Sequence, residues 1–314
     1  MYALKEIETQ GLQFIELASS DATSKAVICL NQGGRLSDFV FEKIQILADF
    51  HPSAYQDNYA SSVLFPFANR IKGGAYTFND SKYILDCNEK GKSNALHGLV
   101  YNKAFVCIHK TLTSDYASIT LQYKDEGKNK GFPFKFNIEL TYTLNSCGIA
   151  LSVKIKNEDK RPFPFTLGWH PYFNSKDLDY SSIDFNSNSK YLFDHQQIIS
   201  GTTSLGLEMP FQLKGVKLDD GYPLQTNEVE FLTPEYGFKF TSTSKENFLH
   251  LFTPDQPKVI AIEPMTGAAN NFNNKIGLQT LEPNDVYKVE WDIAIDTLNT
   301  KVKSNKLINK LCNS

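Results

Sequence analysis

The chain has 314 residues, 41% of them hydrophobic, and a formal net charge of −3. That length supports a large buried core in one or two domains, and the charge balance excludes the basic patch that a nucleic acid or an anionic membrane would need. Five cysteines (Cys29, Cys87, Cys107, Cys147, Cys312) without a Cys-x-x-Cys pair exclude a disulfide framework or zinc site, and read as free thiols of a reducing compartment.

The first ten residues carry charge where a signal peptide needs an apolar run, and no stretch approaches 18 apolar residues. A cytoplasmic protein is therefore expected. Strands follow at Leu12–Leu17, Ala26–Leu30 and within Phe39–Leu47, with a turn at residues 31–34. Arg35, just after that turn, reads as a surface residue. The chain has only two other arginines, Arg70 and Arg161.

Residues 65–98 form the stretch around which the rest is organised. The apolar run Val63–Phe67 leads directly into Asn69-Arg70, and Gly73-Gly74 then turns the chain. Ala75–Phe78 and Tyr83–Leu85 read as a hairpin about Asn79-Asp80, and a polar loop ends in Asn94-Ala95-Leu96-His97-Gly98. Two neighbouring loops thus offer an Arg and a His from an apolar scaffold, which suits a small polyol.

From Phe105 onward the hydrophobic period is two. Phe134, Phe136, Ile138, Leu140, Tyr142 and Leu144 alternate with polar residues; after a turn at residues 145–148 the pattern resumes at Ile149, Leu151, Val153 and Ile155. This is a long antiparallel hairpin with one face on a core. Further strands are expected at Ile119–Tyr123, Glu228–Leu232, Phe238–Thr241, Phe248–Phe252, Val259–Ile262 and Val289–Ile295. No helical stripe exceeds about two turns before the Lys-rich tail, residues 301–314, where Leu307, Ile308 and Leu311 admit a short helix. Many strands without alternating helices predict an all-β antiparallel sandwich occupying residues 1–300 as one domain. Phe-Pro-Phe recurs irregularly at residues 65–67, 132–134 and 163–165 and reads as strand entries, not as a repeat.

Several polar groups stand out against this background. Glu263 follows the apolar run Val259–Ile262 and precedes Pro264, so it reads either as an ordinary surface Glu at a strand end or as a carboxylate there, partly desolvated and shifted towards the range of a general base. His170 lies among aromatics in Trp169-His170-Pro171-Tyr172-Phe173, either as a packed core residue or as a proton carrier at neutral pH. Gly98 after His97 permits an unusual backbone angle or a close ligand approach. His250 alternates with Phe248 and Phe252 and reads as a packing residue. His51, His109, His195 and Glu282 have no supporting pattern. Asn270, Asn271, Asn273 and Asn274 read as a loop over a pocket.

Taken together, Asn69-Arg70 with its following Gly and Tyr, Asn94–Gly98, Thr166–Asn174, Leu218–Tyr222 and Ile262-Glu263-Pro264 closely resemble, in order, the motifs of the aldose 1-epimerase (galactose mutarotase) family. The resemblance implies that family's large antiparallel supersandwich and an isomerase that interconverts the α and β anomers of a free hexose such as galactose or glucose. It further implies Glu263 as catalytic base and His170 as catalytic acid. Arg70 and His97 would bind substrate, with Asn69 bracing their loop. Asp219 would bind sugar hydroxyls too, or Asp220 if the register is one residue off. No cofactor or metal is expected, and no Walker loop, Gly triplet or Cys/His cluster is present. The partner that the resemblance implies is a monosaccharide, and the chain is expected as a monomer or weak dimer. Three alternatives stay open: a hexose-6-phosphate 1-epimerase, with Lys72 or Lys103 as extra cation; a retaining glycosidase using Asp219 and Glu263; and a non-catalytic sugar-binding module of the same fold.

Overall fold

The computed structural model describes residues 1–47 and 54–297; the expectations for His51, Cys312 and the tail lie outside them. Period-two patterning becomes two-faced strands. On Lys135–Asn145, the residues Phe136, Ile138, Leu140, Tyr142 and Leu144 are buried, while Glu139, Thr141 and Thr143 stay partly exposed. This strand pairs with Tyr116–Glu126 on one side and Gly148–Asn157 on the other, and Val286–Thr297 continues the sheet towards Tyr236–Ser242 and Glu228–Leu232.

A second antiparallel sheet begins with the meander Ala3–Thr9, Leu12–Ala18, Lys25–Cys29, Arg35–Phe41 and Ile44–Leu47. It continues through Tyr172–Asn174 and Val259–Met265 to Phe248–Phe252 and Asp219–Pro223. The inner faces of both sheets merge in one hydrophobic core. Trp169 stacks on Trp291 across it, with ring centroids 6.4 Å apart, and Phe173 meets Phe238 at 4.5 Å. The described residues thus form an all-β antiparallel sandwich. No helix among them is long and apolar enough to cross a membrane.

The three Phe-Pro-Phe stretches converge. Phe65, Phe132 and Phe163 approach one another at centroid distances of 6.4, 5.5 and 6.4 Å, mostly edge to face, which is the favoured geometry for ring quadrupoles. This aromatic cluster underlies the loop that carries Asn69-Arg70. The hairpin beside it turns at Asn79-Asp80, both with positive φ, as a two-residue turn between right-twisted strands requires.

Three expectations need correction. Arg35 is buried, not superficial: Nε and Nη2 donate to Gln32 Oε1 at 2.9 and 2.7 Å, and the guanidinium lies 4.4 Å from the Tyr55 ring centre. A fork of donors and an aromatic face offset the loss of hydration. Cys87 and Cys107 are free thiols, but Cys147 is disulfide-bonded. The asparagine-rich segment is not a plain loop. Asn271–Asn274 form a single helical turn, and Asn270 braces the strand Arg70–Lys72, donating from its backbone to Arg70 O at 2.6 Å and accepting from Lys72 N at 3.0 Å.

Candidate active site

Alternation decides which side chains leave the core. On neighbouring strands Leu249, Leu251, Ile260, Ile262 and Tyr222 point into the space between the sheets, so His250, Glu263 and Asp219 point out of the opposite face. Register then sets their order. His250 faces Glu263 across the ladder between Phe248–Phe252 and Val259–Met265. Asp219 stands at the start of the next strand, and its Oδ1 is 2.9 Å from His250 Nε2. Asp220 takes the other face and meets Lys190 Nζ at 3.3 Å. The structure therefore brings Asp219, not Asp220, to the cluster.

Glu263 does not end its strand as expected; the strand runs on to Met265. Pro264 is tolerated there because the neighbour on its other side is interrupted between Trp169 and Tyr172, where a missing N–H leaves no ladder bond unmade. That interruption is His170-Pro171. Trp169 turns into the core and His170 turns out, held by backbone bonds from His170 N to Ser62 O (3.0 Å) and from Ser61 N to His170 O (2.8 Å). Its ring stacks on Tyr172 at 5.0 Å, and its Nε2 lies 3.4 Å from Glu263 Oε1.

His97 closes the group from the loop side. Its ring meets His170 edge-on at 5.1 Å and Tyr59 at 4.8 Å. Its φ is +61°, that of Asn69 +57° and that of Gly98 +76°, so two loops reverse side by side, linked by the 2.9 Å bond from His97 N to Asn69 O. At Gly98 an added Cβ would lie 2.3 Å from Phe65 O. Gly98→Ala is accordingly expected to lower the free energy of unfolding by roughly 2–4 kcal/mol, combining left-handed strain with a backbone clash. Urea denaturation of the two proteins measures it, and a loss below about 1 kcal/mol would show that the loop relaxes without cost.

Arg70 is clamped at one end only. Nε donates to Glu89 Oε1 at 2.9 Å and Nη1 to Asn69 Oδ1 at 3.3 Å, leaving the far edge of the guanidinium for a ligand. Glu89 is itself held by Asn94 Nδ2 at 2.8 Å and approached by Lys92 Nζ at 3.5 Å. Glu89 escaped the sequence reading because it sits in a stretch of ordinary loop composition. The signal was the nearby Arg70, a scarce arginine that a carboxylate would pair with.

Burial dominates the electrostatics. It pushes the carboxyl of Glu263, 1% exposed, up to about 7 and the imidazole of His170 down to about 3. His97 is likewise held well below the ordinary histidine value by burial and the neighbouring His170. His250 behaves oppositely: burial works against its charge, but the Asp219 hydrogen bond and the Glu263 carboxylate outweigh it and raise its pKa. The Asp219 carboxyl is also desolvated, yet His250 brings it below the usual range. His97 Nδ1, His170 Nδ1 and Glu263 Oε2 are buried without a hydrogen-bond partner. Unpaired polar atoms in a dry site are expensive unless a ligand completes them. No group of three or more His, Cys, Asp or Glu among the described residues is arranged to hold a metal ion.

The model of the aldose 1-epimerase family matches residues 15–294. Among curated proteins the chain is 23% identical to the uncharacterized protein YihR of Escherichia coli K12, over 90% of this chain and 92% of that one. Among solved structures it is similar to a galactose mutarotase-like protein from Clostridium acetobutylicum (TM-score 0.84, 20% identity, 94% and 99% of the two chains). It is also similar to a galactose 1-epimerase from Lactobacillus acidophilus NCFM (TM-score 0.75, 17% identity, 95% and 99%). The sandwich is therefore of the galactose mutarotase type.

Proposed function

The chain belongs to the aldose 1-epimerase family, and from that premise we propose that residues 1–300 act as one catalytic domain interconverting the α and β anomers of a free aldohexose. The observation that carries this reading is the buried pair itself, a carboxyl and an imidazole 3.4 Å apart with pKa values shifted in opposite directions. Anomers interconvert only through the open chain, so a proton must leave the C1 hydroxyl while another reaches the ring oxygen. A pair that holds one proton between two groups matches that demand, because each group alternately gives and takes.

In the proposed cycle, the pair's single proton passes to His170, leaving Glu263 as carboxylate. Glu263 accepts the C1 hydroxyl proton as His170 protonates the ring oxygen and the C1–O bond to the ring breaks. The C1–C2 bond turns by about half a revolution, and the two transfers reverse as the ring closes on the other face. The free edge of Arg70 donates to adjacent hydroxyls, His97 hydrogen-bonds near the ring oxygen, and Asp219 accepts from a hydroxyl, so that only the C1 end moves.

An unphosphorylated sugar is supported by the charge balance near Arg70. Arg70 and Lys92 share Glu89, and Lys72 Nζ lies 3.8 Å from Asp194 Oδ2, so three cations face two carboxylates and leave one positive charge over, less than a phosphate dianion calls for. Polarimetry on freshly dissolved α-D-glucose, α-D-galactose and glucose 6-phosphate tests the proposal. A rate well above buffer with a free hexose, and a weaker one with the phosphate, is expected. Calorimetric binding with mutarotation at the buffer rate would instead identify a sugar-binding module.

A further inference from the structure

His250 occupies a position where an apolar residue would serve the fold. Its neighbours along the strand, Leu249 and Leu251, are core residues, and its own side chain, on the outer face, is nearly sealed from water. Phe193 covers the ring edge at a centroid distance of 6.1 Å. Opposite stands Gly221, where an added Cβ would meet His250 Nδ1 at an ordinary contact distance of 3.5 Å. A neutral imidazole there would leave the neighbouring carboxylates without a countercharge, whereas an imidazolium flanked by Asp219 and Glu263 is paired.

Resting on the epimerase reading above, we propose that His250 is a positioning residue of the reaction: as an imidazolium clamped on Asp219, it weakens the hold of Glu263 on its proton and fixes the Asp219 carboxylate towards the sugar. The groups that face it are Asp219 on one neighbouring strand and Glu263 on the other, with Arg70, His170 and His97 as the nearby basic side chains. Without the His250 charge, two carboxylates would share an enclosed site with no imidazolium between them, and Glu263 would keep its proton to higher pH. Without the His250 N–H, Asp219 would lose the donor that aims it. His250 therefore links the proton-transfer end of the site to the hydroxyl-binding end through a single ring.

The test has an arm that needs no sugar. In the wild-type protein, NMR titration of the His250 ring should give a midpoint above 6.5, and a neutral ring at pH 6.5 would overturn the proposal. In His250→Gln, which keeps a donor but no charge, the carboxyl carbon of Glu263 should titrate about one unit higher than in wild type; an unmoved midpoint would also overturn it. In polarimetry, the alkaline limb of kcat/KM should rise by the same amount in His250→Gln. His250→Leu should in addition raise KM by about tenfold, for the lost hydrogen bond to a charged group. A rate lowered equally at every pH, with the limb in place, is what a purely structural role gives and would refute the inference. Failure of the wild type to mutarotate any aldose would defeat the reading of the reaction, while the two titrations still decide the role of the charge.

Discussion

Glu263→Gln and His170→Asn are each expected to lower kcat for mutarotation by about 10²–10⁴-fold, the usual contribution of one positioned proton-transfer group. Sugar affinity measured by calorimetry should change far less, because both substitutions preserve shape and some hydrogen bonding. The reason lies in the division of labour proposed for the site. Arg70, His97 and Asp219 grip hydroxyls that do not react, whereas Glu263 and His170 touch only the two oxygens whose protons move. Groups that act as one unit are not additive, so the double variant should be little worse than the poorer single. The pH dependence of kcat/KM should follow the one-proton form of the pair, falling above about 7 and again towards about 3, the values burial gives the two members. Polarimetry with each variant decides it, and activity within a few-fold of wild type would remove that residue from the proton path.

Legibility of the fold tracked the strength of alternation. The strands expected at Glu228–Leu232 and Phe248–Phe252 match the observed bounds, and Phe134–Leu144 is displaced by a single residue, because an inward hydrophobic at every second position leaves one possible register. Strands of two or three residues, such as Gly168–Trp169 and Val63–Leu64, are too short to show a period and exist only because a neighbour pairs with them. Among site residues, His250 was read as packing because alternation gives the face of a side chain but not what stands across from it. Only the register that sets His250 against Glu263 and the 2.9 Å bond to Asp219 give a buried histidine the neighbours that raise its pKa. Glu263 was read at a strand end from Pro264; the interrupted neighbour that lets the strand continue is a long-range fact. Arg35 and Glu89 were missed for a common reason: a charge is exposed by default, and its burial depends on a partner that the local sequence does not reveal.

Removing the proposed base should also make the protein more stable. The Glu263 carboxyl has its folded-state pKa raised from 4.5 to about 7 by burial, so the folded chain holds a proton that the unfolded chain has released. The sign follows from linkage: the protonated carboxyl contributes its full stability below about pH 4.5, and that contribution is lost as pH rises through about 7. Above the upper value the ionised side chain costs about 3 kcal/mol relative to its neutral form. Gln has the same shape and no charge to desolvate. Its amide still lacks partners in the unliganded site, and it gives up the attraction of His250, so Glu263→Gln is expected to gain about 1–3 kcal/mol at pH 8. The gain should vanish near pH 4.5, where both side chains are neutral. Urea unfolding of the two proteins at pH 4.5 and pH 8 measures it, and an equal or lower stability of the variant at pH 8 would mean that His250 already compensates the buried charge. A carboxylate whose ionisation opposes folding at neutral pH has no structural reason to stay in a strand of Val, Ile and Ala, so such a gain would tie the residue to chemistry by a measurement independent of any sugar.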